Sequence, residues 1–257
     1  MTAGRPTDPR HVWVDGQLLP AEGPHLSVTD RGFQLGDGVF ETLRARAGRV
    51  TELAEHLHRL RHSAEGLDID LPGETEMSVT AGIDELLRVE GLAGPDGDAS
   101  IRVTVSRGAY PGRGLLPSVA GIPPTIAIQA WPVTPPPVGH LETGLHVIAS
   151  AIRRDPENPL VALKTTSRAD YVHARLEARR GGADDAIFLT LDGYLSEATT
   201  ANVFLVRGRA MDAAEEGAYV REVAVAKTAV LRMSLDAVER RNMPFVGETV
   251  AERAERG

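Results

Sequence analysis

The chain has 257 residues, 42% of them hydrophobic, and a formal net charge of −8. That length can bury a sizeable core in one domain or two lobes, and the acidic balance argues against nucleic acid or an anionic membrane surface as the main partner. No cysteine is present, which excludes disulfides and thiolate catalysis and is compatible with a reducing cytoplasm.

The first ten residues, MTAGRPTDPR, carry no apolar signal core, and no apolar run is long enough to span a bilayer, so a soluble cytoplasmic protein is expected. His11 to Asp15 with Gly16 reads as a strand and turn, and Leu26 to Thr29 as another short strand. Asp30-Arg31-Gly32 and Gly36-Asp37-Gly38 bracket Phe33-Gln34-Leu35 in a glycine-rich loop, where backbone can approach a ligand closely. After a cap at Thr51, the residues Leu53, Leu57, Leu60 and Ala64 recur at the helix period. Arg59 falls off that stripe and can point across to a phosphate, for which a bidentate guanidinium is suited; the bland alternative is a solvated arginine. His58 and His62 stand at i and i+4, but no third ligand accompanies them and no metal is expected. Val79, Ile83, Leu86 and Leu87 mark a second, packing helix that stops at Gly91.

Ser100 to Val105 alternates as a half-buried strand and runs into Ser106-Arg107-Gly108 and Gly112-Arg113-Gly114. Arginines in such a loop are either solvent-facing or carboxylate-binding. Thr125 to Trp131 reads as a strand, and Pro132 to His140, with four prolines, as a stiff linker. This divides the chain into an N-terminal α/β lobe over 1–131 and a C-terminal lobe over 141–257. No internal repeat or low-complexity tract is visible.

An apolar run, Leu160 to Leu163, reads as a strand that delivers Lys164 at its end. Of 28 basic residues only Lys164 and Lys227 are lysines. A partly buried amine can lose its proton and attack a carbonyl, whereas a guanidinium stays charged, so Schiff-base chemistry is one reading of Lys164 and an ordinary snorkelling lysine the other. Thr165-Thr166-Ser167 opens a helix that ends at Arg180 before Gly181-Gly182. A strand from Ala186 to Leu191, the turn Asp192-Gly193 and a second strand through Asn202-Val203-Phe204 follow. Glu197 lies in that second half among small and hydroxyl residues that cannot neutralise a buried carboxylate, so it wants a cationic partner. The protonated pyridine nitrogen of pyridoxal 5'-phosphate would be one, and the pairing would strengthen that cofactor as an electron sink.

Taken together, DRGFQLGDGVFETLR, Arg59 in EHLHRL, Lys164 in LKTTS and Glu197 in LSEATTANVF resemble the class IV aminotransferases, the pyridoxal-phosphate enzymes of fold type IV. That family includes branched-chain, D-amino-acid and R-selective amine transaminases and 4-amino-4-deoxychorismate lyase, and the likeness covers most of residues 11 to 206. It implies a two-lobed α+β fold, with a small α/β lobe and a larger, β-barrel-like C-terminal lobe, the cofactor between them, and a homodimer. It implies that Lys164 forms the Schiff base and shuttles the proton, that Glu197 holds the pyridine nitrogen, that Arg59 binds the phosphate, and that Thr200 and Asn202 support that end of the site. Phe40 and Arg44 of the glycine-rich motif, Arg102 in IRV and Arg107 in SRG match substrate-side positions. Arg102 is similar to the branched-chain pattern, whereas Arg107 and Arg113 are similar to the lyase.

The likeness weakens in the tail. A phosphate-holding helix start of the G-[IV]-T-R type is matched here by Val223-Ala224-Val225-Ala226-Lys227, and the family's last strand and second phosphate loop have no counterpart before Gly257. Lys227 is then expected to help hold the phosphate. A divergent working site, an altered frame near residue 207 and a pseudoenzyme are three explanations. The leading expectation is an aminotransferase acting between an amine or amino acid and a 2-oxo acid. A lyase making 4-aminobenzoate and pyruvate is the runner-up, and a protein that has lost its cofactor the third reading.

Overall fold

The computed structural model describes residues 8–117, 121–135, 140 and 143–203. Everything from Phe204 onward, including Lys227 and the expected phosphate-holding segment, lies outside the described residues. The chain forms two compact units, Met1–Pro135 with Pro159–Arg168, and Pro136–Asn158 with Ala169–Gly257. The first division falls inside the proline-rich stretch. The return of Pro159–Arg168 to the first unit has no counterpart in a simple two-lobe boundary, and it carries Lys164 there.

The first unit is a six-stranded antiparallel sheet in the order β2-β1-β6-β5-β3-β4. Its strands are β1 (His11–Val14), β2 (Gln17–Pro20), β3 (Gly38–Arg46), β4 (Arg49–Val50), β5 (Asp98–Ser106) and β6 (Thr125–Pro132). Asp15 and Gly16 both have positive φ, 48° and 89°, and this tight Asp-Gly turn folds Gln17–Pro20 back on β1 as a hairpin. The strand expected at Leu26–Thr29 is a loop instead. The glycine-rich segment contains a short helix, α1 (Arg31–Leu35), capped by Asp30, whose carboxylate accepts from Gly32 N and Phe33 N, and ended by Gly36 at φ 67°.

Alternation along the strands separates two faces. Val39, Leu43, Ala45, Ala99, Ile101, Val103, Val105, Ile126, Ile128 and Ala130 point into the core. Against them pack α2 (Leu53–Glu65), through Leu57, Leu60 and Ala64, and α3 (Thr75–Val89), through Val79, Ile83, Leu86 and Leu87. Helix α2 begins after Glu52, which makes no side-chain cap, rather than from a Thr51 cap. The opposite face carries Phe40, Arg44, Arg102 and Gln129, with Thr42 paired to Arg102 and Arg102 to Gln129 across the strands. In the second unit, β7 (Val147–Arg154) lies parallel to β8 (Asp185–Thr190), which pairs antiparallel with β9 (Leu195–Ala198), and α4 (Ala169–Arg180) packs on the sheet through Ala174 and Ala178.

Candidate active site

Lys164 does not end a strand. Leu160 to Leu163 overlaps a 3₁₀ turn, Pro159–Ala162, with Leu160 and Val161 exposed. Pro159 at its start has no N–H to give to a ladder, and four apolar residues alone do not distinguish strand from turn. The segment that follows docks edge-on against the start of β3. Lys164 N donates to Ser63 Oγ of α2 (3.1 Å), Phe40 N donates to Lys164 O (2.9 Å), Thr166 N donates to Gly38 O (2.8 Å), and Thr166 Oγ1 donates to Gly36 O (2.8 Å). Glycine favours that approach: a Cβ at Gly36 would stand 2.6 Å from Ser167 Oγ, and one at Gly38 3.3 Å from Thr166 Oγ1. The backbone of Lys164 is therefore fixed from two sides. Its Nζ lies 5.4 Å from the centre of the Phe40 ring.

On the core side of β3, Glu41 takes an inward position between Val39 and Leu43 and is only 1% exposed. Arg59 grips it with two hydrogen bonds, Nε to Oε1 (2.5 Å) and Nη2 to Oε2 (2.7 Å), and His56 Nδ1 lies 2.8 Å from Oε2. Burial pushes the Glu41 carboxyl up, but the bonds from Arg59 and His56 and the positive charge of Lys164 and Arg59 outweigh it, so the group sits below its ordinary value. Arg59 in turn is raised by its bond to Glu41. Its side chain is 49% exposed, and Nη1 makes no hydrogen bond among the described residues. An oriented guanidinium with one donor edge to spare fits a phosphate.

Arg102 stands over Phe40 with Cζ 3.9 Å from the ring centre, and Arg168 approaches the same ring at 5.7 Å. Among the described residues the one side-chain bond from Arg102 goes to Thr104 Oγ1 (3.2 Å), and Arg102 forms no ion pair. Burial, then the charge of Arg168, holds its guanidinium below the usual range. The remaining substrate-side candidates are differently engaged. Arg44 is paired bidentately with Asp98 (2.8 and 2.6 Å). Arg107 bonds Asp37 through Nε (2.8 Å) and Nη2 (3.1 Å) and the carbonyls of Leu67 and Asp68 (2.5 and 2.6 Å), so the fold itself occupies the guanidinium expected to clamp a ring carboxylate. Asp37 is shared with Arg31, 2% exposed, which also donates to the carbonyls of Gly114 and Leu115. Arg113 is exposed.

In the second unit Glu197 sits on β9. It was expected to find no protein cation nearby, but Arg154, at the end of β7, brings its Nε to 3.4 Å from Oε1 while Tyr171 Oη of α4 donates to the same oxygen at 2.7 Å. The separation hides this partner from a local reading of the sequence. Thr200 and Asn202 are exposed on the turn after β9. That turn is tied down by its neighbour Thr199, whose Oγ1 donates to Asp185 Oδ1 (2.5 Å), an oxygen also paired with Arg175 (2.8 Å). Glu41, His56, Arg154, Tyr171 and Arg168 were all missed as site residues. Only Glu41 carried a local signal, a charge at an inward position of an otherwise apolar alternation.

The model of the amino-transferase class IV family matches residues 38–211, a span that holds Phe40, Arg59, Lys164 and Glu197. The chain belongs to the class IV aminotransferases. It is 37% identical over 197 residues to a Methanocaldococcus jannaschii protein assigned as a branched-chain-amino-acid aminotransferase, covering 76% of this chain and 65% of that one. It is 29% identical over 204 residues to the bifunctional aminodeoxychorismate lyase / D-amino acid transaminase of Mycobacterium tuberculosis, covering 76% of this chain and 65% of that one. The chain thus spans just under two thirds of the length of these relatives, and 34% of a branched-chain-amino-acid aminotransferase-like protein of Arabidopsis thaliana. Its fold is similar to that of a hypothetical aminotransferase from M. tuberculosis in its PLP-bound form (TM-score 0.59, 28% identity, 74% of this chain and 66% of that chain). It is similar also to the Escherichia coli branched-chain amino acid aminotransferase (TM-score 0.68, 21% identity, 90% and 80%). This is the fold of the type IV transaminases.

Proposed function

We propose that this class IV aminotransferase uses pyridoxal 5'-phosphate to move an amino group between an amine or amino acid and a 2-oxo acid. The observation that carries the reading is Lys164, one of two lysines in the chain, with its backbone fixed by Ser63 and Phe40 and its amine over the Phe40 ring. The donor set fits the cofactor: an amine for its aldehyde at Lys164, a spare guanidinium edge for its phosphate at Arg59, and a carboxylate for its ring nitrogen at Glu197. When bound, pyridoxal phosphate supplies the electron sink that makes proton removal beside the amine feasible. Lys164 Nζ then acts as the base that takes and returns that proton. Arg102, without an acidic partner among the described residues, binds the substrate carboxylate, and Phe40 forms the apolar floor beneath it. Arg102 thus serves the carboxylate of the 2-oxo acid and, where the donor is an amino acid, that of the donor.

The lyase reading draws support from the name of the bifunctional relative, but Arg107, on which it leaned, is bonded within the fold. The exposed Val28, Phe33, Leu115 and Leu116 support a second copy of the chain as the macromolecular partner. Among the described residues no helix is long and apolar enough to cross a membrane, and with a cysteine-free sequence the cytoplasm is the compartment we assign.

The test is to reconstitute the purified protein with pyridoxal phosphate, reduce with borohydride and map the adduct. An adduct on Lys164, lost in Lys164→Ala together with at least about 10³-fold of any transamination, is expected. Trapping on Lys227, or faster formation of 4-aminobenzoate from aminodeoxychorismate than exchange between an amino acid and a 2-oxo acid, overturns the reading.

A further inference from the structure

Glu197 is held in an unusual way for a side chain that faces water. Two elements of the second unit reach it, Arg154 from the end of β7 and Tyr171 from the first turn of α4, and Phe188 of β8 backs both of them. Tyr171 and Phe188 meet edge-on, 5.1 Å between ring centres at 69°, and Arg154 packs against both, with its Cζ 4.1 Å from each centre. Arg154 Nη1 is paired with Asp170, and the backbone is pinned as well, since Leu191 N donates to Arg154 O (2.9 Å). The guanidinium is thus immobilised, and its Nε and Nη2 are buried without a hydrogen bond. Orphaned donors of this kind are rare and expensive. Here they put positive charge beside Glu197, whose Oε1 lies 3.4 Å from Nε.

Both contacts fall on one oxygen. Tyr171 Oη bonds Oε1 and Arg154 Nε faces Oε1, while Oε2 has no partner among the described residues. A carboxylate tethered through one oxygen is oriented, and its other oxygen is left as an acceptor. We propose that Arg154 and Tyr171 are positioning residues for Glu197: they fix Oε1 and leave Oε2 as the charged acceptor for a protonated ring nitrogen. This rests on the assignment of Glu197 to the cofactor nitrogen made above. Neither residue touches the reacting atoms. Their contribution is to hold the proton on the nitrogen by holding the carboxylate that accepts from it.

The holoenzyme reconstituted with pyridoxal phosphate carrying ¹⁵N in the ring tests this directly. The ring-nitrogen resonance should sit at the protonated position in the wild type and move toward the unprotonated position in Tyr171→Phe and in Arg154→Met. Turnover should fall at least about tenfold in each, while cofactor titrated into apoprotein binds within about threefold of the wild type, because the phosphate anchor lies elsewhere. Arg154→Lys, which keeps the charge, should return the resonance most of the way. If Arg154→Met does not fold, Tyr171→Phe decides by itself. Movement of the resonance in Glu197→Gln but not in Tyr171→Phe or Arg154→Met would leave the role of Glu197 standing and overturn the positioning pair. An unmoved resonance in Glu197→Gln would remove the role of Glu197 and the proposal with it.

Discussion

Arg59 in the first unit and Glu197 in the second are built to opposite sign from the same plan. At Arg59 the supporting partner is the carboxylate, Glu41, 1% exposed, and the presented group is the guanidinium, 49% exposed. At Glu197 the supporting partner is the guanidinium, Arg154, 15% exposed, and the presented group is the carboxylate, 39% exposed. In each pair the buried member is held by further bonds, from His56 to Glu41 and from Asp170 to Arg154, and the exposed member keeps one edge unengaged among the described residues. Among the described residues Glu41 sits under α2 beside a twenty-residue core, and Arg154 lies against Phe188 of a cluster of four buried side chains.

The sharpest way to break this comparison is at Glu41. Removing one member of a buried pair costs about 3–5 kcal/mol when both are buried, and half-exposure of Arg59 reduces that, so Glu41→Gln should destabilise the protein by about 2 kcal/mol in urea unfolding. Because the amide leaves one oxygen for the two donors Nε and Nη2 of Arg59 and turns an NH2 toward the other, the guanidinium is held less firmly, so cofactor retention on dialysis should fall as well, and Arg59→Ala should give colourless protein. The pH dependence has a definite sign. The folded Glu41 carboxyl titrates below its ordinary value of 4.5, so its stabilisation is present above that value and is lost as pH falls through the lower folded one. The gap between wild type and Glu41→Gln should be constant near neutrality and narrow below about pH 4.5. A gap that widens on acidification would show that Glu41 is not held as a carboxylate.

How much of this could be read beforehand differs between the units for a physical reason. Strands β5 and β6 and helices α2 and α3 bury one face of a regular element, so their periodicity announces them, and Arg59 is conspicuous because it breaks the period. Glu41 is legible on the same grounds, as a charge at an inward position of an apolar alternation, although it stands inside a glycine-rich motif. The pairing of Arg154 with Glu197 was not legible, since α4 and β8 intervene in the chain and only the fold brings the two together. Leu160–Leu163 was misread because a short apolar run fits a strand or a turn equally. Gln17–Pro20 was missed although Asp15-Gly16 is a strong hairpin signal.

Next in size is Arg107→Met. It leaves Asp37 with Arg31 alone and two carbonyls without donors, and should cost about 1.5–2 kcal/mol with no change in the ratio of activities toward different carboxylate substrates. A selective loss for one substrate would return Arg107 to the site. Arg102→Met should do the reverse. Its guanidinium is disfavoured by burial and by Arg168, so the change should leave stability unaltered or raise it by about 0.5–1 kcal/mol. At the same time kcat/KM for a 2-oxo acid should fall about 10- to 100-fold, chiefly through KM.

The smallest effect is expected at Arg44, and it tests whether the open face of the sheet is one site or two. Arg44 and Arg102 project from the same face, on neighbouring strands, with Thr42 facing Arg102 and Arg44 facing Ser100. Of the two, among the described residues, Arg44 alone has a carboxylate partner, because Asp98 begins β5 within its reach, and both its Nε and Nη2 are taken. A substrate carboxylate would have to displace Asp98, exchanging one ion pair for another with little gain, whereas at Arg102 it would meet a guanidinium with no ion pair among the described residues. Arg44→Ala should therefore change stability by no more than about 1 kcal/mol, as for a partly exposed pair, and leave kcat/KM within about twofold of the wild type. Kinetics of both variants on one acceptor decide the matter: a rise in KM for Arg44→Ala to match that of Arg102→Met would mean that the Asp98 pair opens when substrate binds.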